Sequence, residues 1–214
     1  MKGLAPQTSL IFDAITKMEC IKPFVLVGGT ALSLQIGTRQ SEDLDFMRWK
    51  QNSKDKLEVG WPAIKRELET IGTIESENIM GFDHVEFVVN GVKLSFYAAP
   101  RKALSAMNPI QYQNNLRIAD VKTIGALKME VMLRRAKFRD YYDLYSILKS
   151  GVYIQELIPM AIEHSGFKLK TKNLLSMITN GEFYSKEASF SQLNPIYDIT
   201  PKEIEEYIKE KLLG

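Results

Sequence analysis

The stretch VGGTALSLQIGTRQSEDLDFM, Val27–Met47, decides the fold. The residues before it, PFVL, are apolar and lead through Val27 into Gly28-Gly29-Thr30. A mostly apolar run, TALSLQIG, follows, and then two aspartates one residue apart, Asp43 and Asp45, ahead of a phenylalanine. PFVLVGG reads as a short buried strand ending at Gly28. TALSLQIG reads as a short helix stopped by Gly37, and the alternation of DLDFMRW predicts a second strand.

Each half of this segment has its own chemistry. Glycines after a strand let the backbone approach a ligand closely, and the first N–H groups of the following helix present a positive dipole end to an anion. Taken alone, Gly28-Gly29-Thr30 fits a tight strand-to-helix turn equally well. On a strand, Asp43 and Asp45 share one face while Leu44 and Phe46 point the other way, into a core. Two neighbouring carboxylates repel unless a cation or donors compensate. Mg²⁺ prefers carboxylate oxygens and keeps positions open for substrate phosphates. A solvated strand end with incidental acids is the plainer reading of the pair, but the glycine turn just upstream favours phosphate chemistry assisted by a metal ion.

Working outward, PQTSLIFDAITKME has the apolar spacing of a helix, and KDKLEVGWPAIKRELETIG predicts another, interrupted near Gly60 and Pro62. DHVEFVVNGVKLSFYAA carries the clearest local signal. Asn90-Gly91 is the dipeptide that a two-residue type I′ hairpin requires. With that loop, Val89 faces Val92, Phe87 faces Leu94 and Val85 faces Phe96, all apolar and all on one side. The other side carries Val88 with Lys93, Glu86 with Ser95, and His84 with Tyr97. From Pro109 onward the pattern reads as helical to the end. TPKEIEEYIKEKLL opens with a threonine, a proline and then a glutamate three residues after the threonine, a capping-box signature. The class is α+β: a mixed sheet with flanking helices over residues 1–108, then a helical half over 109–214.

The bulk composition excludes several classes. Of 214 residues 45% are apolar, enough for one ordinary core with a helical extension, and a net charge of +2 leaves any basic surface local. Cys20 has no partner for an intrachain disulfide, and two histidines, His84 and His164, make no zinc pattern. No run approaches the roughly 20 apolar residues of a membrane span, and the first residues lack the apolar core of a signal peptide. A reducing, cytoplasmic setting without a membrane partner is the expectation.

GGTAL followed by R, S and EDLDF resembles the nucleotidyltransferase superfamily, and in particular the AbiEii/AbiGii-type toxin nucleotidyltransferases. The resemblance continues in IADVKTIGALKMEVMLRRAKFRDYYDLYSIL, Ile118–Leu148, where Lys128, Arg139, Asp140 and Asp143 match the family pattern. It implies a nucleotidyltransferase-like fold whose helical half completes the nucleotide site. In that scheme Gly28, Gly29 and Thr30 hold the triphosphate of an NTP, and Asp43 and Asp45 bind Mg²⁺ or Mn²⁺. Lys128 contacts the triphosphate, with Arg39, Ser41, Lys93 and Asp140 as further nucleotide-site groups. It also implies transfer of a nucleoside monophosphate to an acceptor hydroxyl, with RNA or tRNA as the acceptor and a separate antitoxin protein as partner.

One position departs from the family pattern. These enzymes carry a third carboxylate two residues after a strand lysine. Here the lysine is Lys93 and the carboxylate position is Ser95, a poor metal ligand. The hairpin register offers a substitute, since Glu86 pairs with Ser95 on the same side. Asp43, Asp45 and Glu86 are therefore the candidate catalytic residues. Two rival readings stay open: a nucleotide- or partner-binding protein that has lost turnover, and an enzyme acting on a small-molecule hydroxyl.

Overall fold

The computed structural model describes residues 2–50, 54–99 and 108–213. Its first unit comprises Met1–Leu34 and Gln40–Asp120. In chain order this unit holds α1 (Pro6–Thr16), β1 (Val25–Val27), α2 (Gly28–Ile36), β2 (Leu44–Trp49), α3 (Trp61–Glu69), β3 (Ile74–Gly81), β4 (His84–Val89), β5 (Val92–Ala99), β6 (Ile110–Gln113) and β7 (Leu116–Ile118). The last residues of α2, from Gln35, count with the second unit. The strands form one seven-stranded sheet in the order β3-β4-β5-β2-β1-β7-β6. It is mixed, as the sequence predicts: β1 runs antiparallel to β2, while β2–β5 and β1–β7 are parallel.

The Asn90-Gly91 turn sets the register of the sheet's centre. Asn90 has φ 49 and Gly91 φ 74, the two positive values that a type I′ turn demands. All six pairs expected from the turn are present, from Val89↔Val92 to His84↔Tyr97. The apolar side is the core side, where Val85, Phe87, Val89, Val92, Leu94 and Phe96 are all buried. Phe96 stacks on Phe46 with ring centres 4.9 Å apart and meets Phe24 edge-on at 5.4 Å. Because β2 lies beside β5 with Asp45 opposite Ser95, the face turned away from that core carries Asp45, Ser95 and Glu86 in one row.

The first unit departs from the sequence reading at several points, the first being that α3 begins only at Trp61, with Pro62 in its first turn, and not at Lys54. Residues after Pro109 are not all helical: β6 and β7 form a hairpin around Asn114, which has φ 48, and β7 then lies parallel to β1 with Ile118 opposite Leu26. The strand β3 was not expected. Most of its residues are exposed, so it lacks the apolar alternation that betrays a half-buried strand. Finally, β2 begins at Leu44, which leaves Asp43 one residue before the strand.

The second unit comprises Gln35–Arg39 and Val121–Gly214. It holds α4 (Val121–Met132), α5 (Phe138–Lys149), α6 (Ile154–His164), α7 (Thr171–Ile178) and α8 (Pro201–Leu213), with 3-10 turns at Gly181–Phe183 and Ala188–Leu193. Among these, α7 and the 3-10 turns were not read from the sequence. The capping box at the start of α8 is formed: the Thr200 backbone N–H donates to the Glu203 carboxylate at 2.8 Å, and the Glu203 N–H donates back to the Thr200 hydroxyl at 3.3 Å. Helices α4 and α6 pack closely because residue 125 is glycine: a Cβ there would lie 2.9 Å from Leu157. Among the described residues no helix is long and apolar enough to cross a membrane.

Gly91→Val forces a β-branched residue into the left-handed region and is expected to destabilise the fold by about 1–2 kcal/mol. Urea unfolding measures this. An unchanged midpoint would show that the turn does not constrain the register.

Candidate active site

In the first unit the site is built where β1 passes into α2. Gly28 has φ +70, and a Cβ on it would lie 2.8 Å from the Oδ2 of Asp45. Glycine is required twice here, once by the backbone conformation and once by the carboxylate pressed against it. Two residues on, the buried Thr30 hydroxyl donates a short hydrogen bond to the carbonyl of Asp43. Its oxygen lies 2.9 Å from the Ser41 hydroxyl, which donates in turn, since the Thr30 proton is already engaged. Ser41 is itself fixed, its N–H donating to the Gly3 carbonyl at 3.0 Å and its carbonyl accepting from the Ala5 N–H at 2.9 Å. Thr30 and Ser41 thus hold the backbone that presents Asp43.

Across the sheet from Asp45 lies Ser95, fully buried. Its hydroxyl donates to Glu86 Oε1 at 3.4 Å. The same carboxylate oxygen lies 3.5 Å from His84 Nε2 and 3.8 Å from Lys93 Nζ. The Glu86 carboxylate therefore leans onto the strand position where the family pattern puts its third acid. His84 stacks on Tyr97 with ring centres 4.0 Å apart.

These residues can be tested against a divalent metal. Among the described residues no set of three or more His, Cys, Asp or Glu side chains is gathered to hold an ion. The oxygen pair Asp43 and Asp45 nevertheless suits Mg²⁺ or Mn²⁺, which need only one or two protein carboxylates when substrate phosphates complete the shell. The space kept clear of a Cβ at Gly28, directly against Asp45 Oδ2, is consistent with such a group.

The second unit gathers Arg39, Lys128, Asp140 and Asp143. Arg39 grips Asp143 with two parallel bonds, Nε to Oδ1 at 2.7 Å and a terminal nitrogen to Oδ2 at 2.8 Å. Lys128 Nζ lies 2.6 Å from Asp143 Oδ2 and 2.7 Å from Asp140 Oδ1, and Arg135 reaches Asp140 at 3.1 Å. Apart from the half-exposed Arg135, every member is buried. Burial pushes the Asp143 carboxyl upward, but Arg39 and Lys128 outweigh it and hold its pKa below the ordinary value. At Asp140 burial is likewise outweighed, by Lys128 and Arg135. Arg39, itself disfavoured by burial, is raised by Asp143. The adjoining Thr38 carbonyl accepts from the Tyr142 hydroxyl at 2.9 Å and from the Ile196 N–H at 2.9 Å.

The sequence-derived candidates thus fall into two groups. Gly28, Gly29, Thr30, Ser41, Asp43, Asp45, Glu86 and Lys93 belong to the first unit, and Arg39, Lys128 and Asp140 to the second. The sequence places Arg39 beside Ser41 as a group that touches phosphate or supports those that do, and in the structure its guanidinium is bonded to Asp143. His84 also lies beside Glu86, on the side where the hairpin register puts it, although nothing in its sequence neighbours marks it as a site residue. Cys20 is a half-buried free thiol, its pKa pushed up to about 12 by burial and by Glu67.

The chain resembles known proteins in sequence and in fold. Residues 10–212 match the family model described as the nucleotidyl transferase AbiEii toxin of type IV toxin–antitoxin systems. An uncharacterised protein of Aquifex aeolicus is 26% identical over 219 residues, covering 99% of this chain and 97% of that one. MenT4, a nucleotidyltransferase toxin of Mycobacterium tuberculosis, has a similar fold, with a TM-score of 0.58 at 14% identity over 96% of this chain and 86% of its own. JHP933 of Helicobacter pylori superposes with a TM-score of 0.54 at 21% identity, covering 98% of this chain and 95% of that one.

Asp143→Asn leaves Arg39 and Lys128 short of a buried partner and is expected to cost about 3–5 kcal/mol at neutral pH. Because folding lowers the pKa of Asp143, its stabilisation is present at neutral pH and is lost as the pH falls below about 4. Urea unfolding at pH 7 and pH 3 should therefore show a larger loss for the wild type than for Asp143→Asn. Equal losses would remove Asp143 from the acid response.

Proposed function

The chain belongs to the AbiEii nucleotidyl transferase toxin family, and from that premise we propose that it transfers a nucleoside monophosphate from an NTP to a hydroxyl of RNA, tRNA being the expected acceptor. The observation that carries this reading is the row across the sheet: Asp45 against Gly28 at one end, and Glu86 leaning onto Ser95 at the other.

Each residue has a role in the proposal. The Gly28-Gly29 corner and the first N–H groups of α2 receive the triphosphate. Asp43, fixed through Thr30 and Ser41, and Asp45 hold Mg²⁺ or Mn²⁺. When bound, such an ion withdraws charge from the phosphoryl group being transferred. The acceptor oxygen forms a bond to the α-phosphorus, the bond from that phosphorus to its bridging oxygen breaks, and pyrophosphate leaves. Glu86 takes the proton of the attacking hydroxyl, and the Ser95 hydroxyl steadies the carboxylate that receives it. Lys93, close to Glu86, offsets negative charge on the nucleotide.

Residues 1–108 carry the chemistry in this proposal, and residues 109–214 supply nucleotide contacts through Lys128 and Asp140. Both carboxylates bonded to Lys128 compete with a phosphate for its ammonium, so nucleotide contact there requires Lys128 to give one of them up. The family's toxin–antitoxin setting makes a separate antitoxin protein the expected partner and the cytoplasm the expected setting.

Incubation with each labelled NTP, Mg²⁺ and total RNA should place label in RNA. Asp45→Asn and Glu86→Gln should each reduce that transfer about a hundredfold or more. Full transfer by Glu86→Gln would move the proton acceptor elsewhere, and no label from any NTP would overturn the reading.

A further inference from the structure

From the connection between α6 and α7 we infer a docking element for single-stranded RNA, with Phe167 as its stacking platform and Lys168, Lys170 and Lys172 as its phosphate contacts. This inference rests on the reading above that the acceptor is RNA, and adds where the second unit grips it.

The geometry begins with how α6 ends. The Gly166 N–H donates to the Glu163 carbonyl at 2.8 Å and the Phe167 N–H to the Ile162 carbonyl at 3.0 Å. Gly166 has φ +64. This is a Schellman termination, in which glycine takes the left-handed position and the residue after it usually packs back on the last helical turn. Phe167 does otherwise. It also occupies the left-handed region, at φ 60, and its side chain is 68% exposed. A bulky residue at positive φ is a strained outlier, and the motif already has its left-handed residue in Gly166. The backbone therefore adopts an unfavourable conformation at a residue whose ring faces water.

The segment is nevertheless anchored on both sides of that ring. The Ser165 hydroxyl donates to the Ile162 carbonyl at 2.7 Å and accepts from the Leu169 N–H at 3.0 Å. Leu169 is buried at 3% exposure. Phe167 and Lys168 are thus held between fixed points, so little conformational freedom is left to lose on binding.

The chain after the end of α6 is basic, Glu163 on the last helical turn being the nearest acid in the sequence. Residues 164–181 include three lysines and no aspartate or glutamate. Lys168, Lys170 and Lys172 are all exposed, and among the described residues none of them forms an ion pair. An exposed aromatic residue followed within five positions by three exposed lysines is the combination that single-stranded nucleic acid uses: bases stack on the ring and phosphates meet the lysines. An apolar protein surface would gain from the ring but would strand three ammonium groups, so the charge favours RNA as the occupant.

The test measures binding of the full chain to a fluorescein-labelled oligoadenylate of about ten nucleotides, without NTP or metal, by anisotropy over a salt series. Phe167→Ala should weaken binding about tenfold, and Phe167→Trp should retain it. Replacing all three lysines with glutamine should flatten the dependence of log affinity on log salt by about 2. Phe167→Gly releases the strained backbone, so it should lose affinity while melting no lower than the wild type. A lower melting point would make the ring a packing group and overturn the inference. Unchanged affinity in Phe167→Ala together with an unchanged salt slope in the lysine variant would also overturn it and return the patch to a protein partner. RNA binding without any nucleotide transfer would sink the transfer reading and leave this one standing.

Discussion

The first unit depends on a side chain that is not there. At residue 28 the backbone turns from strand to helix at positive φ with the Asp45 carboxylate 2.8 Å from where a Cβ would sit. That approach lets one short segment do two jobs. It aims the start of α2 at the position Asp45 occupies, and it leaves Thr30, two residues on, to fix the carbonyl of Asp43. From Asp45 the row continues across β5 to Ser95 and across β4 to Glu86, because direct cross-strand partners face the same way. One missing methyl group and one hairpin register are enough to line up acidic groups drawn from separate stretches of the chain.

The second unit is organised by charge rather than by space. Arg39, Lys128, Asp140 and Asp143 are buried with nearly matched bonds, two cations against two carboxylates. Apolar replacements of such clusters are often neutral or stabilising, so stability by itself does not explain the set. What it achieves is selection of geometry. An ion inside a low-dielectric interior tolerates few arrangements, and residues 35–39, α4 and α5 are brought to one of them. Lys128 consequently enters any reaction with its charge already balanced.

The legibility of the chain follows how local its signals are. The Asn90-Gly91 turn fixed six residue pairs and the buried side of the sheet, because turn chemistry and alternation agree over adjacent residues. Thr200 and Glu203 were readable for the same reason. Strand β3 was not, since its exposed residues leave no apolar period, and β6 and β7 were too short to show one. The acidic pair and the glycine turn could be read as a phosphate-and-metal site, and Glu86 could be placed beside Ser95. The bond between Arg39 and Asp143 spans 104 residues, and no local pattern announces a partner at that distance. Arg39 sits in the segment that leads to Asp43, and so its sequence neighbours suggested phosphate. In the same way, the left-handed conformation of Phe167 cannot be read from its letter, because only the hydrogen bonds ending α6 reveal it.

The five residues Gln35–Arg39 that count with the helical unit bear on how the protein can be taken apart. A fragment begun at Val121 would contain every helix from α4 onward, yet it would lack the guanidinium that satisfies Asp143 and the Thr38 carbonyl that receives the Tyr142 hydroxyl. Two buried carboxylates would then share one lysine and a half-exposed arginine. The helical unit is therefore discontinuous in a physical as well as a topological sense. No single cut yields it whole, and the ribosome delivers its arginine long before the aspartate that needs it.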